Sequence, residues 1–202
     1  AREFDAAMAL RERVFGREHV ENARTLTAMG NLARARGDLA RALELHSAAH
    51  AMDEGLLGPR HPALARHLHN EAGVLRLLGR APEALARYED ALTLEREALG
   101  EAHPSVGLTT NSIGLVLLDR GDLDGARPRF EAALAILERA GHADRATALQ
   151  NLGTTLARQG HLAEAEPHFR TAAELDASYK DAILGLAELY EAGGQRAEAV
   201  AI

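Results

Sequence analysis

The chain has no cysteine, no tryptophan, a single lysine (Lys180) and only 3% aromatic residues in 202 positions. Without cysteine it can form no disulfide, no thiolate metal site and no thiol nucleophile, which fits a reducing compartment. Few bulky aromatic and β-branched residues are present to fill the faces of a compact sheet. No apolar run approaches the ~20 residues that cross a bilayer. The first residues, AREFDAAMALRER, are charged throughout and lack the apolar stretch of a signal peptide. They also lack an initiator Met, so residue 1 need not be a natural start. The formal net charge is −7, from 23 basic and 30 acidic groups. That balance offers no cluster of cations for a phosphate backbone. The composition predicts a soluble, helical, cytoplasmic chain with neither a nucleic-acid nor a membrane partner.

Alanine and leucine dominate what is present, and they repeat. His19, His61 and His103 recur at a step of 42 residues, as do Gly16, Gly58 and Gly100. Gly37, Gly79 and Gly121 keep that step, and the series continues at Gly160 and Gly194. Around each of these glycines stands a small residue seven before and another five after. The trios are Gly30, Gly37, Ala42, then Ala72, Gly79, Ala84, then Gly114, Gly121, Ala126. Two more follow: Gly153, Gly160, Ala165 and Ala187, Gly194, Ala199. Self-similarity at fixed internal offsets marks a repeat protein.

The offsets have a physical reading. An apolar-periodic stretch such as RTLTAMGNLARAR runs for about four turns and meets a glycine, the favoured residue just past a helix C-terminus. Asp38 and Asp122 follow directly and suit the N-cap of a second helix. Each repeat is therefore expected to be a helix, a tight turn and a second helix. The small residues should let the two backbones approach closely, so that a Leu at Gly114 or Ala126 overpacks the contact.

These residues resemble the tetratricopeptide repeats. Tyr88, Phe130 and Phe169 fall four residues after Ala84, Ala126 and Ala165, with Ala91, Ala133 and Ala172 three further on, as in that family. The family's Pro after the second helix is replaced by Ala177. The long linkers LGPRHPALA and LGEAHPSVG are similar to those of kinesin light chain repeats, and Pro62 and Pro104 stand where a helix should start. The first copy has Val20 after His19 instead.

The resemblance implies an all-α, right-handed superhelical α-solenoid forming a single domain over residues 1–202. Its repeats would span 20–58, 62–100, 104–141 and 143–177, with an incomplete fifth at 179–202. Phe4 and Ala7 precede His46 and Ala49 by 42 residues, which makes 1–16 the second helix of an earlier repeat. Neither end reads as the polar capping helix that closes a solenoid. The expectation is a fragment of a longer protein whose uncapped ends favour self-association.

Ten histidines invite a catalytic or metal reading. His19, His61 and His103 recur with the repeat and precede helix starts, so they read as scaffold, holding the turn through a ring hydrogen bond. His46 and His50 are spaced i, i+4 but have no HExxH motif and no third ligand, and read as helix-face residues. GDLDG at 121–125 joins two helices and is no phosphate loop. No GxSxG elbow accompanies the serines. Glu83, Glu89, Glu95 and Glu97 read as a solvated acidic face. No catalytic residue, cofactor or metal is predicted, and the chain reads as a non-enzyme.

The first helices of stacked pairs line the inner wall of such a solenoid, which binds extended peptides. Three and two residues before the small anchors stand His69 and Asn70, then Asn111 and Ser112, then Gln150 and Asn151. The first repeat has Thr27 and Ala28 there, with Asn31 just after Gly30. A side-chain amide carries both donors and an acceptor, as a peptide backbone does. The resemblance implies that Asn70 and Asn151 hold a peptide backbone, with Asn31, Asn111, Ser112 and Gln150 as weaker counterparts.

Arg24 and Arg66 share one column and Arg34 and Arg76 another; Leu108, Thr147, Leu118 and Ala157 replace them later. Residues 1–100 carry 14 basic and 15 acidic groups, and residues 101–202 carry 9 and 15. The predicted groove is basic early and acidic late, favouring a peptide with an acidic segment at the first two repeats. The family's full carboxylate clamp, with Lys in its set, is not reproduced. The leading expectation is a non-catalytic scaffold for protein–protein interaction through an extended peptide. The alternative is a regulatory or oligomerisation module of a larger signalling protein, attached to a kinase or nucleotide-dependent switch, that binds its own chain.

Overall fold

A computed structural model describes residues 19–176 continuously, together with Arg13, Gly16, Ser178, Ile183 and Leu184. Phe4 and Ala7, the second helix expected over 1–16 and the incomplete repeat expected over 179–202 lie outside this span, apart from those isolated positions. Eight helices form the described chain, and no strand occurs among the described residues. They are α1 Val20–Ala35, α2 Leu39–Leu57, α3 Ala63–Leu77, α4 Ala81–Leu99, α5 Pro104–Asp119, α6 Leu123–Arg139, α7 Arg145–Arg158 and α8 Leu162–Leu175.

The chain divides into two compact units, residues 1–100 and 101–202. In the first, α1 packs on α2, α2 on α3 and α3 on α4; in the second, α5 to α8 pack in the same order. This neighbour-to-neighbour stacking of helix-turn-helix pairs is the arrangement of an α-solenoid, in which each pair buries its apolar faces only with help from the next.

The turn within each pair is set by its glycine. After α5, Gly121 has φ +77°, a conformation costly for a side chain bearing Cβ. Its N–H bonds Leu118 O at 3.0 Å, and the next N–H, of Asp122, bonds Leu117 O at 2.9 Å. That double closure satisfies carbonyls which the helix end leaves without partners. Gly37, Gly79 and Gly160 close α1, α3 and α7 in the same way. Asp38 and Asp122 then cap the second helices, accepting the N–H of Arg41 at 3.1 Å and of Gly125 at 2.9 Å. Arg80 and His161 hold the equivalent places without a side-chain cap and instead meet Glu83 and Glu164.

The recurring histidines are scaffold. His19, His61 and His103 each accept, through Nδ1, the N–H two residues on at 3.2 Å. His142 does the same for Asp144 at 3.3 Å, a fourth copy at a shorter repeat step. The first helix thereby begins with one of its orphan N–H groups satisfied.

The small residues in the first helices serve a different contact from the one expected. A Cβ placed on Gly114 would lie 2.7 Å from Phe130 Cε1, and one on Gly153 2.9 Å from Phe169 Cε1. The missing side chain makes room for a ring from the second helix rather than for its backbone. In the first repeat that ring is an imidazole, with a Cβ on Gly30 falling 2.8 Å from His46. Ala42, Ala84, Ala126 and Ala165 are fully buried opposite.

Candidate peptide-binding groove

In unit 2 the first helices α5 and α7 bring two predicted residues together. Asn151 Nδ2 donates to Asn111 Oδ1 at 3.0 Å. The pair joins the outer of the two columns on one helix to the inner column on the next. It uses one donor and one acceptor, leaving the Asn111 amino group and the Asn151 carbonyl for another partner. Gln150 lies one residue away, half-buried, with Oε1 buried and unpartnered. Ser112 is half-buried, and its hydroxyl is spent on Leu108 O at 3.0 Å. Near the ends of the same helices, Arg158 donates to Leu118 O at 3.4 Å.

In unit 1 the corresponding wall is α1 and α3. Asn70 is half-buried, and its amide meets no partner among the described residues. His69 beside it packs edge-on against Tyr88, with ring centroids 5.1 Å apart. Burial, and then the nearby Arg34 charge, push the His69 imidazole below its ordinary pKa, so it stays neutral near pH 7. Arg34 and Arg66 are exposed and make no ion pair among the described residues. Arg24, by contrast, is tied to Glu21 at 2.5 Å on its own helix. Arg76 is half-buried in the last turn of α3, and Asn31 is exposed. Of the early cations, Arg34 and Arg66 are therefore the ones available to an outside anion.

Behind this wall, between α2 and α3, lies a set of buried charges that the spacing did not reveal. His50 Nδ1 meets Glu71 Oε1 at 3.1 Å, and Arg87 Nε lies 3.3 Å from Glu71 Oε2. His67 Nε2 meets Asp53 Oδ2 at 2.7 Å. The two imidazoles stack with centroids 6.4 Å apart. Glu71, Asp53 and His67 are all buried. The hydrogen bond that His50 donates to the Glu71 carboxylate raises the His50 pKa against the opposing effect of burial. Burial lowers that of His67, with Asp53 partly offsetting it.

This corrects the reading of His46 and His50 as helix-face residues. His46 is 1% exposed, filling the large-residue position of its repeat, and burial, with help from Arg34, lowers its pKa to about 4. Glu95 is likewise buried and not part of a solvated acidic face. A signal was available: Glu71 stands in a column otherwise held by Met29, Ile113 and Leu152, and a lone acid in an apolar column needs buried partners.

Among the described residues no group of three or more His, Asp or Glu is placed to hold a metal ion. No helix of the described residues is long and apolar enough to cross a membrane.

Residues 2–55, 29–97, 64–139 and 105–178 each match the tetratricopeptide repeat family, and a second model of that repeat matches 156–202. The chain is a tetratricopeptide repeat protein. No curated protein sequence matches it. Its fold is similar to that of a putative kinesin light chain from Podosopora anserina with nearly identical TPR-like repeats. The TM-score is 0.75 at 22% identity, over 90% of this chain and 92% of that one. YrrB, a TPR protein with an unusual peptide-binding site, gives a TM-score of 0.59 at 23% identity over 97% and 86% of the two chains. The Rap conjugation gene regulator of plasmid pLS20, in complex with the Phr* peptide, gives 0.71 at 17% identity, over 89% of this chain and 50% of the regulator. At these identities the likeness is one of fold.

Proposed function

We propose that this tetratricopeptide repeat protein is a non-catalytic scaffold that holds an extended peptide along the first helices of its repeats, with kinesin-light-chain-type linkers setting the repeat length. The observation that carries the reading is Asn70, a half-buried amide on α3 that meets no partner among the described residues. In unit 2 the Asn111–Asn151 bond leaves the Asn111 amino group and the Asn151 carbonyl unused, a donor group and an acceptor group that can meet the C=O and N–H of a peptide. Two proteins of the same fold, YrrB and the Rap regulator, are described with a peptide-binding site or a bound peptide.

Arg34 and Arg66 on the wall of unit 1 favour a peptide with an acidic segment there. Arg24 contributes less, because Glu21 already neutralises it. Exposed cations of this kind act mainly on association rate, and their effect falls with salt.

The test is capture of partners from lysate by the native chain, by Asn70→Ala and by Arg34→Glu/Arg66→Glu, followed by titration of the identified segment as a synthetic peptide. All three positions lie on the surface or half-buried, so folding should survive, and circular dichroism checks it. Loss of peptide affinity in both variants, with a salt-dependent component lost only in the arginine pair, supports the reading. Unchanged affinity in both variants moves the site off the first helices.

A further inference from the structure

The packing of α2 on α3 in unit 1 and of α6 on α7 in unit 2 uses the same repeat positions with opposite chemistry. His50, Asp53, His67 and Glu71 correspond, repeat for repeat, to Leu134, Leu137, Ala148 and Leu152. In unit 2 these four belong to one buried apolar cluster with Phe130 and Phe169. In unit 1 the same places hold two imidazole–carboxylate pairs at 2.7 and 3.1 Å. The ring position beside Gly30 holds His46 where the other repeats hold Tyr88, Phe130 and Phe169. His46 Nδ1, His67 Nδ1 and Asp53 Oδ1 are buried without hydrogen-bond partners. At these four matched positions one junction carries ionisable groups and its counterpart apolar ones.

We propose that α2 forms an acid-sensitive joint with α1 and α3, at which protonation of buried His46 and His67 loosens unit 1 more than unit 2 in mildly acidic solution. The inference is independent of any peptide ligand.

The charged surroundings fix its direction. His46 faces Arg34 from α1 and His67 and Glu71 from α3; burial and Arg34 outweigh the carboxylate, and its pKa falls to about 4. His67 faces Asp53 and His50 from α2 and has Arg66 on its own helix; burial outweighs Asp53, and its pKa is lowered. Both rings bind a proton more readily once the junction is open, so acid drives opening as the pH falls below ~6.5.

His50 acts the other way. It faces Glu71 and His67 from α3 and Arg87 from α4, with Glu54 on its own helix, and its pKa is raised. Its stabilisation is complete below pH ~6.5 and is lost as the pH rises through its raised pKa, so it opposes the opening rather than causing it. His69, also lowered by burial, adds to the acid response of unit 1. In unit 2 the one comparable ring is His168, half-buried, and burial lowers its pKa too; Glu138, Glu131 and Glu164 partly offset that effect, so unit 2 carries one such ring where unit 1 carries three.

Hydrogen exchange on the whole chain at pH 7, 6 and 5, corrected for intrinsic exchange rates, tests this. Between pH 7 and 5, the shift at His46 alone corresponds to ~20-fold more opening. Peptides from α1–α4 should lose protection by about that factor relative to peptides from α5–α8. His46→Phe, which installs the ring of the other repeats, should abolish about 20-fold of the response. Asp53→Leu/His67→Ala, which installs the residues of unit 2, should reduce the remainder. Parallel loss of protection in both units, or no loss in either, overturns the proposal. So does a full acid response in both variants. If one variant fails to fold, the other variant and the comparison of units in the native chain still decide.

Discussion

The ring-beside-glycine contact makes a quantitative prediction within one unit. Gly30 and Gly55 both lie in helices of unit 1, and an alanine removes the same backbone entropy at each. In a helix interior that gain is up to about 1 kcal/mol. At Gly55 a new Cβ meets nothing within 4 Å, so the gain should appear in full. At Gly73 it would sit 3.5 Å from Tyr88 Oη, an ordinary contact, and most of the gain should remain. At Gly30 the methyl would lie 2.8 Å from two atoms of a ring that is itself 1% exposed and has no space to retreat into. Overpacking of this kind costs ~1–3 kcal/mol, which cancels or exceeds the propensity gain. The two substitutions should thus differ by about 1–3 kcal/mol, or ~2–4 °C in Tm per kcal/mol for a chain of this size. Thermal and urea melts at pH 7.5, outside the range where His46 titrates, would measure it. Equal stabilisation by Gly30→Ala and Gly55→Ala would refute the argument that the glycine is there to seat a ring. Gly114→Ala and Gly153→Ala should repeat the Gly30 result in unit 2, against Phe130 and Phe169.

Two further outcomes follow from the helix starts and the amide pair. Asp38→Ala and Asp122→Ala each remove a cap bond and should cost about 1 kcal/mol in urea melts, whereas Arg80→Ala, at the same repeat position without such a bond, should leave stability unchanged. Asn151→Ala strands the buried Asn111 Oδ1 and should cost ~1–3 kcal/mol, while a double-mutant cycle with Asn111→Ala should return a coupling of about 1 kcal/mol.

The helix-turn-helix period was readable because its signals are local. Gly121 is required by a positive φ, Asp122 by an orphan N–H, and His103 by a helix start two residues away; each acts within a few residues of itself. The role of Gly114 was half readable. A small residue reports that something comes close, but the identity of the visitor, Phe130, depends on packing across the pair. The candidate groove was readable as columns and not as partnerships. Asn111 and Asn151 stand in different columns, and only the offset between α5 and α7 brings them to 3.0 Å. Arg24 and Arg66 share a column and are both exposed, yet Arg24 is paired with Glu21 while Arg66 makes no ion pair among the described residues.

A repeat protein contains its own internal controls, because each column reports what the same backbone site accepts elsewhere in the chain. Columns that stay constant, such as the turn glycine or the helix-starting imidazole, describe the scaffold. Columns that vary divide by burial. On the first helices, variation among Asn70, Ser112 and Asn151 leaves the fold intact, and it is there that a ligand can be discriminated. Between α2 and α3, the change from Leu134, Leu137 and Leu152 to His50, Asp53 and Glu71 buries the two carboxylates and half-buries the imidazole. Replacing well-packed apolar residues by a buried ion pair gains little stability and often gives some up. What the substitution adds is a dependence on proton concentration that the apolar version lacks. On the proposed reading the two kinds of variable position serve different ends: those on the first helices choose what is held, and the buried ones set the conditions under which unit 1 stays closed.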